Sequence, residues 1–273
     1  MPLPVLHSAP SLTDRDLVRL FHRTELHWTQ SVADESALAC GTAFANANLA
    51  RLSAANRILD AALPDNLTAD VALAEVENHF TSCGSRCLEW LFNPSAALAG
   101  VEPLRTLLIA NGWRADSRDI LYLQSVPALA AAPPAADLTI IPARASFRHT
   151  QNLADELAAE AGEAQLAEAV MLHLDDPHWD ALLALIGQEP AGIIGVLAVG
   201  DIGRIEQLFV SRQFRRQGIG RALLNRAMEI CARSLFKHVM LAIEPNEPII
   251  RAVLEALNFR TIGQITAYRP PAM

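Results

Sequence analysis

One segment of the chain, the loop that follows residues 204–210, constrains the fold more than any other. Residues 204–210 have the composition of a β-strand, and residues 221–235 repeat their apolar side chains at helical spacing. A short loop that contains Gly218 and Gly220 joins the two patterns. A strand must therefore turn directly into a helix here, and glycine permits the backbone conformations that such a turn needs.

The same loop has the chemistry of an anion site. The first turn of a helix leaves backbone N–H groups unpaired at the positive end of the helix dipole. Arg215, Arg216 and Arg221 add positive charge, and the two glycines let a ligand approach the bare backbone. A lone Gly-x-Gly is typical of a tight turn with solvated arginines. The full context of strand, loop and helix instead predicts a site for phosphate or pyrophosphate.

The patterns on both sides of this loop predict a mixed sheet. Three apolar runs joined by tight turns indicate an antiparallel meander over residues 181–186, 192–199 and 204–210. The other predicted elements are a strand over 138–142, helices over 150–160 and 163–173, a strand over 238–243, a helix over 248–257 and a strand over 262–268. This order predicts an α/β fold whose mixed, α+β-type sheet is flanked by helices.

The residues of the loop resemble a known signature. Arg215-Arg216-Gln217-Gly218-Ile219-Gly220 fits the Arg/Gln-x-x-Gly-x-Gly/Ala pattern with which the GNAT acyltransferase superfamily binds the pyrophosphate of acetyl-CoA. The meander before it is also similar to that family, as are the strand, Asn246, helix and Leu257-Asn258-Phe259 after it. The resemblance covers residues 137–273. It implies a GNAT-like acyl-CoA N-acyltransferase fold and direct transfer of acetyl from the cosubstrate acetyl-CoA to an amine.

The resemblance also implies where the cosubstrate binds. The strand before the loop would bulge and splay from its neighbour, so that a backbone N–H in the gap polarises the thioester carbonyl. The backbone of Leu208, Phe209 and Val210 would pair with the pantetheine arm, and Asn246 would touch the cofactor from the end of the next strand. The pyrophosphate would be held by Arg215, Arg216, Gln217, Gly218, Ile219, Gly220, Arg221 and Ala222.

The sequence offers one candidate for acid–base catalysis. Glu206 alternates with Leu208 and Val210 along the strand, so it is a candidate base that faces the cleft. The alternative is a solvated or salt-bridged carboxylate. The family often carries a tyrosine as general acid where this chain has Leu254, and Tyr268 is the only tyrosine of the second half. Either water takes the acid role, or the chain is a non-catalytic acyl-CoA-binding or regulatory module.

A segment of proline and small or aliphatic residues over 127–136 predicts an extended linker between two domains, residues 1–126 and 137–273. The two halves also share a pattern, because residues 104–114 resemble residues 250–260 at a constant offset in sequence. This predicts that the first half is a smaller α/β domain, a degenerate and non-catalytic copy of the second in a tandem protein.

Such a copy would carry a strand over residues 86–92 beside a strand over 120–123, with a helix over 104–110 packed on both. The alternative is an unrelated helical cap, because residues 12–25 and 68–80 both have helical patterns. The two predictions differ in the strand content of the first half.

Composition narrows the classes of function. A formal net charge of −8 disfavours a nucleic-acid binder, since phosphate contacts need a basic surface. Prolines interrupt the longest uncharged stretch, residues 120–136, and the first residues lack a signal-peptide pattern, so we expect no membrane association. Four cysteines without metal-ligand spacing indicate free thiols in a reducing cytoplasm and no metal site.

The predicted partner is a small-molecule amine or a peptide amine, and the oligomeric state stays open. Asp175 and Asp176 precede Pro177, which should end a helix and expose both carboxylates. They are predicted to lie near the mouth of the acceptor groove and to favour a cationic amine. The alternative is that they are ordinary surface residues.

Overall fold

The computed structural model of the protein describes residues 12–126 and 137–271. Within these ranges seven helices flank eleven strands. The first half contains α1 (Asp14–Gln30), β1 (Asp34–Leu38), β2 (Gly41–Ala45), β3 (Arg57–Ala61), α2 (Ala69–Ser82), β4 (Glu89–Phe92), α3 (Leu98–Ala110) and β5 (Arg114–Gln124). The second half contains β6 (Leu138–Pro142), α4 (Phe147–Ala161), α5 (Leu166–His173), β7 (Trp179–Ile186), β8 (Glu189–Val199), β9 (Ile202–Val210), α6 (Ile219–Arg233), β10 (His238–Ile243), α7 (Pro248–Ala256) and β11 (Arg260–Arg269).

All eleven strands belong to one sheet, in the order β1-β2-β3-β4-β11-β5-β10-β9-β8-β7-β6. The pairs β3–β4 and β9–β10 are parallel, and the other neighbours are antiparallel. The predicted meander forms as β7, β8 and β9. The prediction of an α/β fold with a mixed sheet is confirmed.

The two halves share one topology. The succession of three strands, a helix, a strand, a helix and a strand describes β1 to β5 with α2 and α3, and again β7 to β11 with α6 and α7. The prediction of a helical cap is wrong, because the first half contributes β1 to β5 to the sheet.

The last strand of each half crosses to the other half. β5 pairs with β10, β11 pairs with β4, and β5 and β11 pair with each other at the centre of the sheet. The strand expected over residues 86–92 forms as β4, but its expected neighbour is wrong, since β11 lies between β4 and β5. The local strand pattern does not say which half a strand will join, so the exchange has no signal in the sequence.

Each half has a bulge at the same place in its third strand. Asp60 in β3 and Gln207 in β9 have φ angles of 56° and 57°, a left-handed conformation that is uncommon outside glycine. The consequences differ. In the first half β3 and β4 pair again beyond the bulge, at Ala61 and Phe92. In the second half the pairing of β9 with β10 ends before the bulge, so only this half has a gap in the sheet.

The helices divide between the two faces of the sheet. In the second half α6 and α7 cover one face, where Leu223, Met228 and Leu254 pack on the strands. On the other face α1, α4 and α5 pack through residues such as Leu17 and Leu153. The gap between β9 and β10 therefore has α6 and α7 on one side and α1 on the other.

The proline- and alanine-rich segment 127–136 lies outside the described residues, so the division into domains 1–126 and 137–273 stays a prediction. β5 precedes this segment in the sequence, yet it pairs with two strands that follow the segment. The two halves are thus joined through the sheet itself.

Candidate active site

A cavity of about 430 Å³ occupies the gap between β9 and β10. The pairing of these strands ends at Arg204 and Met240. Beyond that point β9 continues to pair with β8, and β10 continues to pair with β5. The bulge at Gln207 bends β9 away, because a bulge locally increases the twist and bend of its strand. One backbone edge of each strand is consequently left without a strand partner.

The cavity passes through the sheet and has two different sides. Apolar residues line the side toward α6 and α7: Ile205, Leu208, Leu224, Leu241, Ile243, Ile250, Val253 and Leu254. Glu206 and Arg118 line the side toward α1. The arrangement suits a long, mostly apolar ligand that presents its reactive end to a polar surface.

The start of α6 opens into this cavity. Gly218 precedes the helix with φ 80°, and no side chain caps the first turn, so its N–H groups are available to a ligand. A Cβ atom built on Gly218 would meet no atom of the described residues within 4 Å. Gly220 and Arg221 in the same turn line the cavity. The predicted anion site and the gap in the sheet are therefore contiguous.

The loop before α6 is fastened to α4 by arginine. The guanidinium of Arg215 donates to the Glu160 carboxylate at 2.7 and 2.8 Å and to the Val210 carbonyl oxygen at 3.0 Å. Arg212 also donates to Glu160, at 3.1 Å. Arg216, by contrast, has a φ of 66° and makes no ion pair within the described ranges. Arg215 holds the loop in place, and the role predicted for it at the pyrophosphate stays a prediction.

The other predicted cofactor residues are divided between the cleft and its surroundings. Leu208 lines the cavity, whereas Phe209, the next residue of β9, is buried on the opposite face of the sheet because successive strand residues alternate. Val210 lies beside Gly220, and Ile219 is part of the core. The side chain of Gln217 donates to the Gln213 carbonyl oxygen, and the backbone N–H of Ala222 donates to the Gly218 carbonyl oxygen. Asn246 is exposed in the turn before α7 and does not line the cavity.

Glu206 lines the cavity and is also salt-bridged. Its side chain is 17% exposed, and Arg204 Nε donates to its Oε1 at 2.6 Å. No hydrogen bond to Oε2 occurs in the described part of the chain, so one carboxylate oxygen stays available. Glu206 therefore both faces the cleft and forms a salt bridge, and its role as the base stays a prediction.

A buried ionic network lies behind Glu206. Glu25 of α1 is 1% exposed and contacts Arg57 of β3 at 2.9 Å and Arg204 at 2.8 Å. Burial alone would raise the pKa of Glu25, but Arg204, Arg57 and Arg118 outweigh it and hold the pKa well below its usual range. An ionised Glu25 fixes Arg204, and Arg204 in turn fixes Glu206.

Sequence reasoning missed Arg118 and the contribution of α1. Arg118 belongs to the first half and reaches the cavity only because β5 crosses into the second. The adjacent Asp119 holds α7 in place through an ion pair with Arg251. Arg118 lies two residues before the strand predicted over 120–123, so the sequence pattern carried no signal for it.

Few side chains in the cavity can give up a proton. Leu254, in the place where the resembling family often has tyrosine, is buried and lines the cavity. Tyr268 lies elsewhere, with its ring centroid 5.3 Å from that of Phe92 in the first half. Among the described residues that line the cavity there is no tyrosine, cysteine, histidine, serine or threonine.

Asp175 and Asp176 do not lie at the cleft. They line a separate surface pocket with His27 and His178, and Asp176 accepts a hydrogen bond from the backbone N–H of His178 at 2.8 Å. The predicted position near the mouth of the cleft is wrong, because the loop after α5 packs on the C-terminal end of α1 and not over the gap in the sheet.

The first half has no matching anion site in its described residues. The corresponding place, between the start of α2 and α3, is a cavity of about 640 Å³ lined by Asp65 and Asp70 and by no basic residue. No glycine loop precedes α2. Within residues 12–126 and 137–271 no group of side chains could hold a metal ion.

Comparison with known proteins agrees with this geometry. Residues 147–259 match the Acetyltransferase (GNAT) family, and this range contains the glycine loop and both strands that bound the cavity. Residues 147–259 form a GNAT domain. The GNAT fold is in general that of enzymes that transfer an acyl group from acyl-CoA to an amine. No curated protein sequence matches the chain.

Solved structures resemble the GNAT domain and the first half together. A GCN5-related N-acetyltransferase from Kribbella flavida is 15% identical with a TM-score of 0.62, over 93% of this chain and 96% of that one. A functionally unknown protein from Staphylococcus epidermidis is 13% identical with a TM-score of 0.59, over 88% and 95%. A tandem GNAT protein from the clavulanic acid biosynthesis pathway is 15% identical with a TM-score of 0.50, over 75% and 70%. At these identities the likeness concerns the fold.

The helices that flank the sheet are short or polar. None of those in the described parts of the chain has the length and apolar character that crossing a bilayer requires.

Proposed function

We propose that this chain transfers the acetyl group of acetyl-CoA to an amine. The observation that carries the proposal is the gap between β9 and β10, whose cavity opens at the uncapped start of α6. The apolar side of the cavity suits the pantetheine arm, and the backbone at Gly218 and Gly220 suits the pyrophosphate. Arg216 and Arg221 make no ion pair within the described residues, so both are available to the phosphates.

The residues of the cleft support a direct transfer. An ammonium acceptor must lose a proton before it attacks, and Glu206 accepts that proton directly or through water. The amine nitrogen then bonds to the acetyl carbon, the carbon–sulfur bond breaks, and the nitrogen's second proton passes through water to the departing thiolate. Unpaired backbone N–H groups of β9 donate to the carbonyl oxygen as negative charge develops there. Holding both reactants in one gap adds rate through proximity.

A second candidate is a non-catalytic acyl-CoA-binding or regulatory module. The observation that favours it is the lack of a hydroxyl, thiol or imidazole group among the described residues that line the cavity. Such a protein would bind acetyl-CoA tightly and release no thiol in the presence of any amine.

The deciding experiment is a panel of amines with acetyl-CoA, followed by the release of free thiol. We expect turnover with at least one amine, and a loss of at least about a hundredfold in kcat/KM for Glu206→Gln. Calorimetry should show that this variant still binds acetyl-CoA. Glu229→Gln, an exposed change on α6, serves as the matched control. Tight binding of acetyl-CoA without thiol release from any amine would favour the second candidate.

A further inference from the structure

One arginine in the cavity forms a long ion pair but makes no hydrogen bond within the described residues. Arg118 lines the cavity on the side toward α1, and its side chain is 28% exposed. The nearest carboxylate oxygen, on Glu25, is 3.7 Å from Arg118 Nη2, which is too far for a hydrogen bond. No other described residue accepts a hydrogen bond from this guanidinium. Its N–H groups make no hydrogen bond within the described residues, so they can donate to a group that enters the cavity.

The buried carboxylate of Glu25 does not depend on Arg118 for its counter-ions. Glu25 already has two closer arginines, Arg57 at 2.9 Å and Arg204 at 2.8 Å. Both of these are also bonded elsewhere, Arg57 to Thr29 and Arg204 to Thr24. Arg118 differs from them in facing the cavity with unused donors. A carboxylate is the ligand that matches a guanidinium best, because it can accept two parallel hydrogen bonds.

Unpaired acceptors line the same cavity. Gln207 Oε1 is buried and has no hydrogen-bond partner among the described residues, although buried polar atoms are normally paired. Oε2 of Glu206 has no partner there either. Both atoms would accept hydrogen bonds from an ammonium group. The cavity thus presents Arg118 and two acceptors without hydrogen-bond partners in the described part of the chain, and it is also lined by Arg221, Glu244 and Glu247. The combination of Arg118 with the two acceptors is the complement of a zwitterion.

We infer that the acceptor is an amine that carries a carboxylate beside its nitrogen, as an α-amino acid does, and that Arg118 binds this carboxylate. The inference rests on the proposed function and names the class of acceptor for the same cleft. The ammonium group lies toward Gln207 and Glu206, on the α1 side of the gap. An acyl chain that ends in a carboxylate would satisfy Arg118 but would leave both acceptors unpaired.

This assignment gives the first half a part in the site. Arg118 lies outside residues 147–259 and belongs to the strand that crosses from the first half. The GNAT domain would hold the acyl donor, and the exchanged strand would select the acceptor.

Binding tests the inference without requiring turnover. The full-length protein, with and without saturating CoA, is titrated by calorimetry at pH 7 with L-alanine, L-leucine, L-phenylalanine, L-glutamine and L-lysine and with the amide of each. Acid and amide share the ammonium group and differ in the carboxylate. We expect at least one acid to bind at least tenfold more tightly than its amide, and Arg118→Gln to abolish that difference.

Two further variants separate ligand binding from folding. Arg226→Gln removes an exposed arginine on α6 and should keep the preference for the acid. Arg118→Lys keeps the charge but not the two-pronged donor, so it should keep only part of the preference. Thermal unfolding of each variant shows whether the fold is intact. Equal binding of acid and amide in every wild-type pair overturns the inference, as does a preference that survives intact in a folded Arg118→Gln or Arg118→Lys.

Thiol release then distinguishes the sources of the carboxylate. With acetyl-CoA, the acid that binds should be acetylated faster than its amide, and Arg118→Gln should remove the difference. A preference for succinyl-CoA over acetyl-CoA that disappears in Arg118→Gln would place the carboxylate on the acyl group and overturn the inference. Carboxylate-dependent binding of the acid without any thiol release would refute the proposed function and leave Arg118 as a carboxylate-binding site of a protein that does not acetylate its ligand.

Discussion

At the scale of single residues, Gly218 combines a left-handed backbone conformation with a position at the predicted pyrophosphate site. Its φ is 80°, and the space that a side chain would occupy at the start of α6 is open. Gly218→Glu would put a bulky side chain and a negative charge next to the pyrophosphate. We expect the affinity for acetyl-CoA to fall at least tenfold, about 1.4 kcal/mol, as measured by calorimetry.

Gly200→Glu is the matched control for this change. Gly200 also has a positive φ, 62°, and also has open space around it, but it lies in the hairpin between β8 and β9. Both variants bear the strain that a side chain suffers in this conformation. If the two lose affinity for acetyl-CoA equally, the loop before α6 is not the pyrophosphate site.

His173 sets a pH dependence of stability. It is stacked on Trp28 at 3.5 Å and bonded to Ser31 at 2.6 Å, and burial, followed by the charges of Arg204 and Arg57, lowers its pKa to about 3. The unfolded chain binds this proton near pH 6.5 and the folded protein does not, so stability falls as the pH drops below 6.5. From pH 7 to pH 5 we expect this histidine to remove about 2 kcal/mol from the free energy of unfolding.

Urea unfolding at both pH values measures this effect. His173→Gln should lose less stability between pH 7 and pH 5 than the wild type does. His178→Gln, on an exposed histidine, is the matched control. A His173→Gln variant with an unchanged slope would contradict the expected titration.

The sequence revealed the site residues unevenly, for physical reasons. The loop from Arg215 to Ala222 could be found because its residues are contiguous and glycine marks unusual backbone. Arg118 could not, since its place depends on a strand from the other half. Glu25 is marked by the sequence, because it shares one helical face with Leu17, Phe21 and Trp28, where a charged residue requires a buried partner.

At the scale of elements, α1 stabilises the centre of the molecule through that one carboxylate. Glu25→Gln would leave the buried Arg57 and Arg204 without their shared counter-ion. We expect a loss of about 3–5 kcal/mol in the free energy of unfolding, because an unpaired buried charge is costly. Urea unfolding measures it, and Glu77→Gln on the exposed face of α2 is the control. A loss equal to that of the control would show that the network contributes nothing to stability.

The helices and strands could be predicted where a repeating apolar pattern runs over many residues. The helices and strands of the second half begin and end close to their expected positions, since each has an uninterrupted apolar pattern. The strands β1 to β3 were not predicted, because they are short and polar residues interrupt them. The bulge at Gln207 also escaped prediction, and it alters the alternation by which Glu206, Leu208 and Val210 were expected to share a face.

At the scale of the whole molecule, the exchange of β5 and β11 makes each half depend on the other. Without β5, β10 would lose its neighbour on the side away from the gap, and β11 would lose contact with the second half. We expect residues 137–273 expressed alone to show no cooperative thermal transition. Mixing them with residues 1–126 during refolding should restore one.

A cut within residues 127–136 is the complementary test. A protease site inserted there should be cleaved without separating the two parts, which should elute together in size-exclusion chromatography. Independent folding of residues 137–273, with the same melting temperature as the full chain, would contradict the exchange.

The crossing of the two strands also determines the order in which the protein can assemble during synthesis. β4 and β5 leave the ribosome early, but one of the two neighbours of β4 is β11, close to the end of the chain. The edge of β4 therefore stays open while most of the second half is made, and open edges recruit other strands. Pairings this distant along the chain also form slowly. In crowded expression, β5 of one chain would meet β10 of another before its own, so linked dimers and larger aggregates are the expected by-products of making this protein quickly.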